Sequence, residues 1–527
     1  MLQGKGLKAV VLDTIGINGL DTQTHPTALD PSYFTKADNI VYTEGNRVTF
    51  RKGLYQKTNP EANGNHIGSL YENRADGTIW AAAGQYIYEV DFSNTDGSGY
   101  LYAFTNAYDT GAADDHWQFA DTDLGLVAVQ GGEDVHLLSG GSWGLMSSDA
   151  GYSAPAGVAV FDPSTALGEY GRLWVGGVSE DNTVLYYSKG EDPVAFNNGD
   201  AGYIDLKYVW GNDEIVSINS FGGKLVIFGK QNIAIYNNPW DVTNIELDEV
   251  IKGIGAKFRD SIQAVGDDLL FLSDTGVRSL QRTAEFDKLP LKEISITIND
   301  EIISNTQNTQ DVRSVYVLNE GLYLLSFTDL NVTYVFDLTY NTQRDVPRVT
   351  KWNFDGDRQP ISFTYSQEYG LLFGEESGHI CTYEGYYEVT YSDGVYTETP
   401  YTGSFSTSVL DLGQGFVSSI LKKLIMVVSG GSGTQVGIKA FKDFELQPST
   451  SETFTVNAPL GGTAYKWGQA GSLYGAAKYA PIHGLKEVGV QLYGDAKYLR
   501  FEMDGVTNGY RTALQSITLF YKQGKMY

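Results

Sequence analysis

The chain has 527 residues, too many for one ordinary hydrophobic core, so at least two domains are expected, one of them a large repeat architecture. With 61 Gly, 36 Tyr and 24 Phe against 14 Pro, it has the composition of many short strands joined by tight turns, and at 19% charged residues it is not a disordered chain. The net charge of −27 excludes a direct grip on nucleic acid, which needs Lys and Arg to displace counterions from phosphates; it suits a surface that repels DNA.

One cysteine, Cys381, excludes an internal disulfide framework and any cysteine-ligated zinc site. The opening MLQGKGLKAVVLDTIG has no apolar run followed by a small-residue cleavage site, so no signal peptide is expected and synthesis in the cytosol is. The longest apolar run, near Leu424–Val428, is far short of a membrane span.

Residues 1–55 read as an extended N-terminal arm, with apolar stretches too short for a blade or a helix. A hairpin then recurs. Its first strands begin at Thr78 (TIWAAAG), Leu124 (LGLVAVQ), Arg172 (RLWVGG), Lys224 (KLVIFG), Leu269 (LLFLSD), Leu322 (LYLLSF) and Gly370 (GLLFGE), at spacings of 46, 48, 52, 45, 53 and 48. Partner strands follow, among them YIYEV from Tyr86, IAIY from Ile233 and HICTY from His379. A small twisted sheet cannot bury both faces alone, whereas a closed ring of sheets packs each against its neighbours, and this period is the signature of such a ring. The fold class is therefore all-β, with a β-propeller of about seven blades over residues 56–395. One stretch departs from it: between Leu291 and Thr306, Ile294, Ile298 and Ile302 fall at helical spacing and predict a short surface helix.

Beyond residue 395 the period stops. Six new strand-like stretches (SFSTSVLDL, LKKLIMVVS, TQVGIKAF, ETFTVNA, KYLRFEM and LQSITLFYK) alternate as a β-sandwich would, giving a second domain over 396–527. Among them Ala458–Ala480 reads as an exposed loop long enough to meet a partner.

The N-terminal residues Gly19-Leu20, Ala28-Leu29-Asp30-Pro31, Ala37-Asp38-Asn39-Ile40-Val41, Gly45-Asn46-Arg47 and Arg51-Lys52-Gly53-Leu54 follow a pattern, A-x-N-hydrophobic then R-K-x-G. This pattern resembles the opening of tail proteins of short-tailed bacteriophages, and Arg172–Gly177 with Asn182–Phe196 is similar to one of their blades. The resemblance, to the tail nozzle or tail tubular protein B-like family, implies a non-enzymatic structural role in the tail of the virion, assembled in the host cytoplasm. It implies a homo-oligomeric ring, typically a hexamer, below the portal and adaptor proteins and in contact with tail fibre or tail-tip proteins. DNA would pass through the lumen during ejection without specific binding. No cofactor, metal or catalytic residue is implied.

The residues with chemical potential read mostly as structure. Gly140-Gly141-Ser142-Trp143-Gly144 matches the GxSxG pattern, but a nucleophile elbow needs a strand before and a helix after, and here the pentapeptide closes a hairpin. His25, His66, His116, His136, His379 and His483 are scattered without metal-ligand spacing. Cys381 and His379 lie two apart on one strand face, where a buried structural thiol outweighs a dyad. Asp91–Gly97 offers oxygens for calcium, but ordinary turn chemistry explains it. Asp76-Gly77-Thr78-Ile79-Trp80 partly matches the Asp-box of sialidase propellers, so a glycan-cleaving enzyme is the main alternative; it would need a convergent arginine cluster and a Tyr with an acid partner. A glycan- or receptor-binding surface of Tyr and Trp is the third reading.

Overall fold

The computed structural model describes residues 7–523 apart from 44, 60–64, 92–102, 267, 281–292, 343, 355, 393–394, 413–416, 432 and 457–483. The expected loop Ala458–Ala480, all but Asp91 of the turn Asp91–Gly97, and His483 lie outside those residues. The chain divides into two compact units: one of Lys57–Thr333 and Phe354–Thr382, the other of Met1–Gln56, Tyr334–Asn353 and Tyr383–Tyr527.

The first unit is the β-propeller. Four up-and-down sheets of four antiparallel strands follow one another, their innermost strands being Ser69–Glu72, Gln118–Thr122, Thr165–Glu169 and Ile215–Phe221. A three-stranded sheet starts at Gln263–Val265, a hairpin pairs Val312–Val317 with Leu322–Phe327, and a last sheet starts at Pro360–Ser366. Six of these sheets stand apart from one another as a six-blade arrangement, against the about seven expected. The remaining copy of the period, the Val312–Phe327 hairpin, is not one of these six separate sheets. Periodicity counts hairpins, and cannot tell a hairpin that forms a separate blade from one that does not.

The second strand of each blade is apolar on both faces, because a blade is covered on both sides. Ile79–Ala83 and Arg172–Gly176 are buried throughout. Their side chains join the clusters between neighbours: Trp80 and Ala82 meet Phe119 and Leu126, Val127 and Val129 meet Leu173 and Val175, and Phe228 meets Phe271 at 5.2 Å between centroids. Ile67, Leu70 and Ile79 pack with Leu372 and Ile380, which joins the last sheet to the first. Each fully buried side chain of this kind contributes about 1.5–3 kcal/mol. Close approach along the axis also needs Gly168, where a Cβ would lie 1.8 Å from the carbonyl oxygen of Asp121 on the neighbouring innermost strand.

The expected helix is present but shorter, Asn299–Asn308. Ile294, Ile298 and Ile302 are all buried, yet the chain before Asn299 forms turns, with Ile294 N–H donating to the Val277 carbonyl at 3.0 Å. The helix packs on strand Gly276–Ser279, and Gly276 leaves the space that Asn299 fills.

The second unit contains two sheets whose strands alternate between buried and open residues. One runs in the order Ile40–Tyr42, Val48–Phe50, Ala513–Gln523, Ser419–Gly430, Gly484–Gln491, with Lys8–Val11 also paired to Ala513–Gln523. The other includes Pro347–Trp352, Phe34–Asp38, Thr402–Thr407, Tyr498–Val506, Gln435–Lys442 and Thr450–Thr455. The ring of Phe50 lies where Cβ atoms on Gly403 and Gly505 of the facing sheet would be. The segment expected as an extended arm is thus woven into both sheets alongside the strands beyond residue 396. Its short apolar pieces, Ile40–Tyr42 and Val48–Phe50, pair with each other as a local hairpin, but the onward partner of that hairpin, Ala513 opposite Thr49, lies hundreds of residues away, which no local pattern reveals.

Candidate functional site

The propeller axis encloses a cavity of about 630 Å³ walled by residues of the innermost strands of the six blades, among them Tyr71, Gln118, Glu169, Asn219, Gln263 and Thr364, and by Arg313 of the Val312–Val317 strand. Neighbouring innermost strands run in the same sense: Ser362 Oγ donates to the Ile67 carbonyl at 2.6 Å, and Ser366 Oγ to Glu72 at 2.6 Å. Strand beginnings therefore gather at one end of the axis and strand ends at the other.

At the first end, Arg259 grips Asp260 through Nε at 2.9 Å and Nη2 at 3.0 Å, and donates to the carbonyls of Ser164 at 2.7 Å and His116 at 3.0 Å. Arg313 donates to the same carboxylate at 2.9 Å and pairs through Nε with Asp311 at 3.1 Å. Burial pushes the Asp260 carboxyl up, but the two guanidinium groups outweigh it and hold the group below its ordinary value. At the second end, Tyr71 Oη donates to Asp121 at 2.5 Å, while Arg74 reaches Asp121 at 3.6 Å and Glu169 at 3.1 Å. Burial and then the Asp121 carboxylate raise the Tyr71 phenol, so it stays protonated. The Tyr–acid pair and the arginine pair stand at opposite ends of the axis.

The candidates from sequence are dispersed. Gly140 and Gly141 form the two-residue turn between His136–Ser139 and Ser142–Leu145, both at positive φ as a type I′ hairpin turn requires; Ser142 pairs with Ser139. His136 Nδ1 meets Tyr108 Oη at 3.0 Å and its ring edges onto Trp117; burial lowers its pKa. His25 bonds Thr27 at 2.8 Å, and His379 meets the Thr58 carbonyl at 3.1 Å rather than Cys381. Cys381 is buried against Arg358, at 3.3 Å, and Glu375; burial first, then the Glu375 charge, raise its thiol well above the ordinary value, so it is a poor nucleophile. In Asp76–Trp80, Asp76 accepts from Thr78 N–H at 3.0 Å and Thr78 Oγ1 at 2.7 Å, and Trp80 Nε1 donates to that hydroxyl at 3.1 Å, a local turn clasp.

One grouping was not legible as a motif. Asp114, Asp115 and His116 bring their ligating atoms within 4.8 Å of one another. Buried Asp115 is already engaged, receiving Gly84 N–H at 2.8 Å and His66 at 3.1 Å, so its lone pairs serve the fold. The Asp115 hydrogen bond raises the His66 pKa above 6.5, against a smaller opposing effect of burial. A raised histidine adds stability that is complete below its unfolded pKa and is lost as the pH climbs through the folded one, so His66 should favour the fold on the acid side of that value. In an NMR titration His66 should titrate above 6.5, and Asp115→Asn should bring it down; an unchanged midpoint would overturn the assignment.

No family model matches the chain, and no curated protein does. Among solved structures it is similar to the Pan2 WD40 domain of Neurospora crassa at 8% identity and a TM-score of 0.39, covering 64% of this chain and 95% of that one. PorZ, a surface component of the type-IX secretion system of Porphyromonas gingivalis, is similar at 12% identity and a TM-score of 0.36, covering 70% and 44%. Hsv2 of Kluyveromyces lactis follows at 12% and 0.30, covering 55% and 98%. The chain's own blade pairing, not these distant likenesses, defines the propeller. Among the described residues no helix is long and apolar enough to cross a membrane.

Proposed function

We propose that the chain is a non-catalytic structural component of a short-tailed bacteriophage tail, a nozzle whose copies ring the DNA exit channel below portal and adaptor. The observation that carries this reading is the state of the propeller axis. Its ionisable groups are engaged with one another at both ends, which supports a rigid body rather than a site held ready for chemistry. A cavity of about 630 Å³ is of small-molecule size, so DNA would travel along a lumen between copies and not through a propeller. The net charge of −27 suits walls along which DNA slides without adhering. The order of N-terminal pattern, propeller and C-terminal strands agrees with the resemblance, and the pattern's Arg51 and Gly53 have defined structural work in the second unit.

The test is the native mass and negative-stain image of the purified full chain, alone and with its adaptor or portal partner. The expected result is a ring with a central channel, of six copies. A monomer that persists with both partners present would overturn the reading.

A further inference from the structure

The sequence holds four Asn-Gly pairs: Asn18-Gly19, Asn63-Gly64, Asn198-Gly199 and Asn508-Gly509. In such a pair the glycine main-chain nitrogen can reach the Asn side-chain carbonyl carbon, because no Cβ on the following residue stands in the way. Whether it does so depends on what holds the carboxamide and the glycine N–H. The fold treats the pairs differently.

Two are clamped. Asn18 is 1% exposed, its Nδ2 donates to Ser32 Oγ at 2.8 Å, and Gly19 N–H donates to the Gly16 carbonyl at 3.1 Å. Asn508 is half-buried, its Oδ1 accepts from Tyr387 Oη at 2.8 Å, and the Tyr387 ring lies where a Cβ on Gly509 would be. Asn198-Gly199 is the reverse case. Both residues are exposed, in the link between Val184–Tyr187 and Gly202–Asp205 of the third blade. Neither the Asn198 carboxamide nor the Gly199 N–H has a hydrogen-bond partner among the described residues. Gly199 stands at a φ of 64°, in a turn closed by Ala201 N–H on the Asn198 carbonyl at 3.2 Å. Asn63-Gly64 lies outside the described residues.

We infer that Asn198 is a site of spontaneous deamidation. The Gly199 nitrogen gives up its proton to solvent and bonds to Asn198 Cγ; the Cγ–Nδ2 bond breaks, and the side-chain nitrogen takes a proton and leaves as ammonia. Water then opens the resulting succinimide ring at one of its carbonyls. The sum is amide plus water to carboxylic acid plus ammonia, with nothing oxidised or reduced. Opening at the main-chain carbonyl leaves an isoaspartyl link, which routes the chain through the side-chain methylene; opening at the other leaves Asp. Either product puts a new carboxylate on the turn that carries Asp200, whose own carboxylate holds the buried Arg172 and accepts Gly190 N–H at 3.2 Å. The inference does not depend on the tail reading, because a ring-forming nozzle and a monomer carry the same turn.

The experiment is peptide mapping by mass spectrometry of the full chain held in mildly alkaline buffer, folded and in urea, with isoaspartyl residues located by enzymatic methylation of the peptides. In the folded chain Asn198 is expected to convert at about ten times the rate of Asn18 or Asn508, or faster, because those two must first open locally. In urea all three should convert at similar rates, since glycine follows each. Asn198→Gln, whose longer side chain has to close a larger ring, should keep its amide in both conditions. Conversion of Asn198 no faster than the other two in the folded chain would overturn the inference. So would a lead of the same size in urea, which would assign the difference to sequence and not to the fold, or loss of the amide from Asn198→Gln at the rate of Asn198 itself.

Discussion

Arg51→Ala should destabilise the second unit by about 3–5 kcal/mol, the loss expected when one partner of a buried ion pair is removed and the other is left behind. Arg51 is 1% exposed and every edge of its guanidinium is used. Nη2 pairs with Glu388 at 2.8 Å, Nε donates to Asn39 at 3.0 Å, Nη1 to the Lys52 carbonyl at 2.7 Å, and the group lies 4.5 Å from the centre of the Tyr401 ring. Tyr401 Oη donates back to the Arg51 carbonyl, and the second oxygen of Glu388 accepts Leu54 N–H at 3.1 Å. Truncation therefore strands a carboxylate in the interior and frees the residue that anchors the N-terminal segment. Replacing both partners, Arg51→Met with Glu388→Gln, should restore much of the loss, because no unpaired charge remains. Urea titration followed by tryptophan fluorescence measures both variants. A drop under about 1 kcal/mol for Arg51→Ala would show the pair to be dispensable.

Trp174→Ala should weaken the propeller by about 3–5 kcal/mol, the range for emptying a large aromatic site in a packed core. Trp174 has no exposed surface, sits 5.2 Å from Tyr187, and packs with Leu185, Ile215, Ile218 and Ile227 where the third and fourth blades meet. Its Nε1 donates to the Glu169 carbonyl at 3.1 Å, at the end of an innermost strand. The loss therefore has two parts, a cavity and an unpaired carbonyl. Trp174→Phe separates them: it keeps most of the packing and should cost about 1–2 kcal/mol. Denaturation of the two variants side by side gives the split, and equal losses would contradict it.

The propeller was legible because its hairpins are local. A strand such as KLVIFG from Lys224 and its partner NIAIYN are joined by one turn, so apolar run, turn and alternation sit within one short window. In the second unit the six stretches expected beyond residue 396 are strands, but their N-terminal partners were not legible, since Lys8–Val11 pairs with Leu519 and its neighbours, and Phe34–Asp38 with Ser404–Thr407. Ile40–Tyr42 and Val48–Phe50 form a local hairpin, but nothing in it names the sheet it joins through Thr49 and Ala513. The R-K-G-L run shows the same limit: the resemblance picked out Arg51 and Gly53, but only the structure gives the reason. Arg51 needs Glu388, and a Cβ on Gly53 would lie 1.8 Å from the Tyr387 carbonyl. The expected His379 and Cys381 pair on one strand face does not form, because the strand begins at Ile380, His379 meets the Thr58 carbonyl, and Glu375 and Arg358 claim the thiol.

The pairing of Lys8–Val11 with Ala513–Gln523 also orders events on the ribosome. Lys8–Val11 has no strand partner until Ala513–Gln523 is made, while each blade of the propeller can close as soon as its own hairpins emerge. Throughout elongation the early strands offer bare edges to any other nascent chain. Translation that stops before residue 513 should therefore leave a product whose N-terminal strands are open to foreign pairing, and slowing synthesis should lengthen that exposure rather than relieve it.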